Sequence, residues 1–124
     1  MSKIERFEDL RCWQAARQLA RFVFLSSEEA KLAKDFATRD QIRRAALSVM
    51  NNIAEGFGRK SNLEFIRFLD FAQSSAQEVK SITYLLEDLN YLAPDSIMKI
   101  RQDAEACKSQ ILALIAYLRK RKSN

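Results

Sequence analysis

The chain has 124 residues and a formal net charge of +5, which makes it one domain, large enough to bury an ordinary core without staples. It contains no histidine, and its two cysteines, Cys12 and Cys107, share no motif; a structural zinc site is therefore not expected, and both thiols read as small buried residues of a reduced compartment. No apolar run approaches the roughly 20 residues that span a bilayer, and the opening MSKIERFEDL lacks the apolar segment of a signal peptide, so a cytoplasmic protein with no membrane partner is expected.

Two glycines and one proline leave little to punctuate short strands, so long helices are the default. The first is predicted from near Asp9 to Leu25, where Leu10, Trp13, Ala16, Ala20 and Val23 recur at spacings that build one apolar face. Ser26 and Ser27 interrupt it, and SEEAKLAKDFA admits either a further helical turn or a loop. Thr38 and Gln41 form a capping box that opens a second helix, with Ile42, Ala46, Val49 and Ile53 as its core stripe. Gly56 stands where a left-handed C-terminal cap is expected. After GFGRK, Ser61 and Glu64 form another capping box, and a linker this short makes the second and third helices antiparallel neighbours.

The third helix is predicted over about residues 62 to 90, with Asn90 as a left-handed stop and Pro94 and Asp95 introducing the fourth. There Ile97, Ile100, Ala104, Cys107, Ile111, Leu114 and Leu118 step by alternating threes and fours, a heptad seam suited to shallow crossing angles. The fold expected is all-α: an antiparallel up-down-up-down four-helix bundle. Phe65, Phe68, Leu69, Ala72, Ala76, Val79 and Leu86 form the third helix's core stripe. Phe71, Ile82, Leu85 and Leu89 widen it to about 200°, against the ~100° that a bundle helix needs. Either the first-to-second connection covers this flank or another subunit does; an uncovered row of Phe and Leu favours the subunit.

Charge is uneven. Residues 119 to 122, Arg119, Lys120, Arg121 and Lys122, carry four positive charges, leaving 17 basic against 16 acidic residues elsewhere. From 39 to 67 there are six basic and three acidic residues, whereas 70 to 118 has four and seven. A basic end and an acidic flank orient the molecule towards an anionic partner, although a basic tail also serves plain solubility.

The most patterned stretch is QIRRAALSVMNNIAEGFGRKSNLEFIRFL, residues 41 to 69. On its first helix Arg44, Ser48, Asn51, Asn52 and Glu55 share a polar face, suited to another helix, a partner chain or a phosphate backbone, or simply to water. Arg43, Leu47, Met50 and Ala54 form a neighbouring row that widens the core face or meets a subunit. Arg59 and Lys60 stand beside the unpaired amides that open the third helix, a position that favours an anion; Arg67 follows about two turns on. The glycine spacing is not that of a Walker A loop. With no histidine to act as a base and no convergent pair of acids, an enzyme is not expected, nor any cofactor.

FEDLRCWQAARQLA, the 41–69 stretch, AQSSAQEV and DLNYL, in that order, resemble the four-helix proteins of the 23S rRNA intervening-sequence family. Asn52 to Gly56 is the most specific element. The family is similar to the accessory variability determinant of diversity-generating retroelements, a basic pentameric barrel that binds nucleic acid and a reverse transcriptase. The resemblance implies a ring-like homopentamer alongside RNA or DNA, with Arg43, Arg44, Asn52, Glu55, Arg59 and Arg67 carrying the signature and no catalytic role. Two departures stand out. Val49, Met50 and Asn51 replace the family's frequent Ile-Pro-Ala, which restores a helical hydrogen bond, and Ser74 replaces the usual glycine before Ser75.

Together these readings give a non-catalytic oligomer that binds RNA or DNA through Arg59, Lys60 and Arg119 to Lys122, with Arg39, Arg43, Arg44 and Arg67 in support. The rival is a protein–protein scaffold that grips another polypeptide through Ser48, Asn51, Asn52 and Glu55, with Phe71, Ile82, Leu85 and Leu89 as the subunit face.

Overall fold

The computed structural model describes residues 3–121. It holds four long helices, α1 (Arg11–Ser26), α2 (Phe36–Phe57), α3 (Asn62–Asp88) and α4 (Pro94–Lys120), and no strand among the described residues. Short 3-10 turns, Phe7–Asp9 and Ala30–Lys34, precede α1 and α2. The first helix thus begins two residues later than predicted, because Phe7–Asp9 folds as its own turn and Leu10, extended, is the residue from which α1 starts. The SEEAKLAKDFA segment is partly helical, with Leu32 driven into the core and Ala30 held at φ 54°.

Asp35, not Thr38, caps α2. Its carboxylate accepts from the Thr38 backbone N–H at 3.1 Å and from the Thr38 hydroxyl at 3.0 Å. Two overlapping cap patterns occur here, and the ionised carboxylate is the stronger acceptor for the free amides. The helix therefore opens at Phe36, and Gln41 instead reaches across to the Glu78 carboxylate on α3. The other end of α2 also differs from expectation. Gly56 is helical and buried, the cap is Gly58 at φ −77°, and neither glycine has positive φ. Gly56 is instead a point of close approach: a Cβ there would lie 2.7 Å from Phe68 Cβ and 3.0 Å from Phe65 Cδ1. The missing side chain is what lets α3 lie against the last turn of α2.

Ser61 caps α3 as expected, its hydroxyl accepting from the Glu64 N–H at 3.2 Å. Asn90, at φ 54°, is the left-handed stop. Tyr91 N–H donates to the Leu86 carbonyl and Asn90 N–H to that of Glu87, the paired bonds of a Schellman ending. Pro94 occupies the first turn of α4.

Contacts between helices climb one as they descend the other. On α2 and α3, Gln41 meets Glu78, Ser48 meets Ser75, and Gly56 meets Phe65 and Phe68. On α3 and α4, Lys80 pairs with Glu105 and Arg101 with Thr83 and Glu87. The Cys107 thiol approaches the Cys12 carbonyl, and Lys99 lies over Phe22, joining α4 to α1. Ile42, Ala46, Val49 and Ile53 are fully buried as the stripe predicted, and so are Leu69, Ala72, Val79 and Leu86. Phe65 and Phe68 are only half-buried. On α4 the seam runs from Ile111 to Ile115 and Leu118, with Leu114 half-buried at its edge. A straight helix turns 3.6 residues rather than 3.5, so a strict heptad drifts out of register by its far end.

Burial pushes both thiols up, Cys12 to about 11 and Cys107 to about 12. No helix among the described residues is long and apolar enough to cross a membrane.

Candidate nucleic-acid interface

Four chain segments meet at one end of the molecule. The start of α1, the end of α2, the start of α3 and the end of α4 enclose a cleft of about 710 Å³ whose lining includes Leu10, Phe57, Phe65 and Leu118. Lys3, Asn62 and Arg121 line the same cleft. Arg59 and Lys60 stand in the turn three and two residues before Asn62, and Arg119 and Lys120 close the last turn of α4; all four are exposed. The two basic segments therefore sit at one end. Lys122 lies outside the described residues.

The remaining cations sit elsewhere. Arg39 lies twenty residues before Arg59 on the chain, about 30 Å away along α2 at 1.5 Å per residue. Its guanidinium contacts Asp40 at 3.1 Å and covers Phe36. Arg43 is committed within the fold: its Nε donates to the Ser27 hydroxyl at 2.6 Å, its guanidinium lies over Phe24, and Glu28 is 3.8 Å away. It ties the end of α1 to α2. Arg44 is exposed and reaches Gln41 at 3.4 Å.

Along the first turns of α3, cations and rings alternate. The Arg59 guanidinium lies 4.6 Å from the Phe68 ring centre, Phe68 meets Phe71 edge-on at 5.9 Å, and Arg67 lies 5.6 Å over Phe71. Arg67 also stands 3.7 Å from Glu64. Stacking of this kind orders a guanidinium without neutralising it. Further along α3, Phe71, Leu85 and Leu89 are 46%, 47% and 42% exposed, and Ile82 is half-buried against the core. The first-to-second connection does not cover them.

The polar face of α2 is divided. Ser48 accepts from the Ser75 hydroxyl at 2.9 Å and from the Asn52 amide at 2.9 Å, and Asn52 also donates to the Ser48 carbonyl. Ser48 is thus the one of the pair that bonds across to α3, with Asn52 bracing it from the next turn of α2, while Asn51 and Glu55 are exposed.

The profile of the family described as 23S rRNA-intervening sequence protein matches residues 8–113. The chain belongs to this family. A crystal structure from the S23 ribosomal protein family of Bacteroides thetaiotaomicron, a protein of unknown function, is similar with a TM-score of 0.77 at 25% identity, over 84% of this chain and 97% of that one. None of the curated proteins matches. In this intervening-sequence protein the signature positions divide by role: Arg43 ties α1 to α2, Asn52 bonds back to Ser48 on its own helix, Gly56 lets α2 and α3 touch, and Arg44, Glu55, Arg59 and Arg67 face outwards. Val49, Met50 and Asn51 stay helical where the family often has proline, and Ser74 is exposed, so its side chain needs no room inside.

Several residues that matter here had no sequence signal. Lys3 and Tyr117 reach the cleft from the two ends of the chain. Arg101, on α4, donates to the buried Thr83 hydroxyl at 3.0 Å and to Glu87 at 2.9 Å while stacking 3.8 Å from Tyr84.

Proposed function

We propose that this intervening-sequence protein is a non-catalytic, oligomeric up-down-up-down bundle that binds nucleic acid through its basic end. The observation that supports the reading is the meeting of the 59–60 turn with the last turn of α4 and Lys3 around one cleft. Cations drawn from distant parts of the chain then present a joint surface to a phosphate backbone, as electrostatic, sequence-independent binding requires. Arg59, Lys60, Arg119, Lys120 and Arg121 are the proposed phosphate contacts. Arg67 flanks them; Arg39, Arg43 and Arg44 do not share that surface. The exposed Phe71, Leu85 and Leu89 support self-association, and the ring-like pentamer of the retroelement determinant is the assembly we favour.

The test is a binding titration against a mixed RNA and DNA panel at several salt concentrations. Affinity that falls steeply with salt, and falls further in Arg59→Ala/Lys60→Ala, supports the proposal. Undetectable binding even at low salt removes it. A second reading, in which α2 grips another polypeptide, draws on the exposure of Arg44, Asn51 and Glu55. It requires an association that survives moderate salt and is lost in Arg44→Ala.

A further inference from the structure

Phosphate contact alone does not call for the cleft that lies between these cations. A phosphate calls for cations and N–H donors, whereas this cavity also has aliphatic walls, Ile4, Leu10, Leu114 and Leu118, and three rings, Phe57, Phe65 and Tyr117. Phe57 and Phe65, which meet edge-on at 5.9 Å, both line it. Its volume, about 710 Å³, falls within the roughly 300–1,000 Å³ of sites that take small planar ligands. Polar groups share the lining: Asn62, with an amide that can both donate and accept, and the cationic Lys3 and Arg121. Tyr117 is 42% exposed, its hydroxyl accepts from Arg121 at 2.9 Å, and the same guanidinium lies 5.6 Å from its ring centre, covering one face.

An occupant must therefore offer a flat apolar face, hydrogen-bonding edges and a negative charge next to them. Double-stranded nucleic acid hides its base faces in the stack; a single strand presents all three together. We propose that the cleft seats an unpaired base of a single-stranded polynucleotide, stacked on the face of Tyr117 opposite the Arg121 guanidinium, with Lys3 and Arg121 in the cleft and Arg59, Lys60 and Arg119 on the flanking turns holding the adjoining phosphates. This rests on the reading of the basic end given above and makes it more specific, naming single strands as the substrate class.

The experiment compares single-stranded RNA and DNA oligonucleotides with duplexes of the same length, using the full chain at one low salt concentration. Wild type, Tyr117→Ala and Tyr117→Phe are titrated in parallel, with far-UV circular dichroism to confirm that each is folded. Base–aromatic stacking predicts that the single strand binds roughly 5- to 100-fold more tightly than the duplex. Tyr117→Ala should erase that preference, and Tyr117→Phe, which keeps the ring and loses the hydroxyl, should retain it. A nucleoside monophosphate is the competitor that separates a free nucleotide from a strand. Displacement of the strand only at large molar excess supports the polynucleotide, and equal affinity of the two overturns it as the occupant. Equal binding of strand and duplex, unchanged in Tyr117→Ala, overturns the base seat and leaves the basic end standing. Absence of binding to either polynucleotide overturns both.

Discussion

Replacing Gly56 with alanine tests the central claim about how α2 and α3 meet. A methyl group at this position would stand 2.7 Å from Phe68 Cβ, 3.0 Å from Phe65 Cδ1 and 3.3 Å from the Phe65 carbonyl oxygen. Phe68 Cβ and the carbonyl belong to or adjoin the backbone, so rotation of a side chain cannot relieve them; the two helices must move apart. Overpacking of that kind costs about 1–3 kcal/mol. Alanine's better helix propensity returns about 0.5–1 kcal/mol, so a net loss centred on about 1 kcal/mol is expected. For a chain of this length, melting entropy of roughly 2.1 cal/mol/K per residue converts 1 kcal/mol into about 4 °C. Gly58→Ala is the control. Gly58 has φ −77°, and a Cβ there meets only the Glu55 carbonyl oxygen at 3.6 Å, so this change should be neutral or raise stability by up to about 1 kcal/mol. Urea unfolding and thermal melts of the two variants give the comparison. If Gly56→Ala is as stable as the wild type, or if Gly58→Ala is the more damaging, the close-approach argument is refuted.

Other outcomes follow from features at the helix ends and in the core. Ala30 and Asn90 both sit at φ 54°, a conformation that costs an L-residue about 1–2 kcal/mol unless it is Gly or an Asn whose side chain can hydrogen-bond locally; Ala30→Gly should therefore raise the melting temperature and Asn90→Ala lower it, as thermal denaturation will show. Asp35's carboxyl is held below the ordinary carboxylate value, chiefly by the Thr38 N–H and then by the Tyr91 and Thr38 hydroxyls. Its stabilisation is thus present above about pH 4 and lost as pH falls through the lower folded value. Asp35→Asn keeps a capping oxygen without titrating, so its melting temperature should fall less steeply with acid than that of the wild type. Cys12 and Cys107, with thiols raised to about 11 and 12, should react with a disulfide reagent at pH 8 only after denaturant is added; rapid labelling of the native chain would show that the α1–α4 contact opens readily.

Apolar spacing made the helices legible, and it did so where long runs repeat. The α2 stripe of Ile42, Ala46, Val49 and Ile53 and the α4 seam as far as Ile111 are buried residue for residue. Misreadings arose where one local pattern has two physical uses. Glycine near a helix end serves either a left-handed cap or a close approach, and only the position of Phe68 decides for Gly56. Asp35 and Thr38 both fit a cap; the stronger carboxylate acceptor takes the role, and Tyr91, which donates to it at 2.7 Å from 56 positions away, adds a contact that no local pattern shows. The cleft has no local signature at all, since Lys3, Asn62 and Tyr117 come from three separate parts of the chain.

The guanidinium resting on Phe71 has a consequence for self-assembly. A neighbouring copy that seals this ring must take Arg67 into the joint with it, since the two lie 5.6 Å apart. Stripping water from a cation is expensive, and the acid beside this one, Glu64, stands at a loose 3.7 Å. The opposing surface must therefore bring an acid, or Arg67 must swing aside and let Glu64 go. Grease and charge on this stretch of α3 are recruited together or not at all.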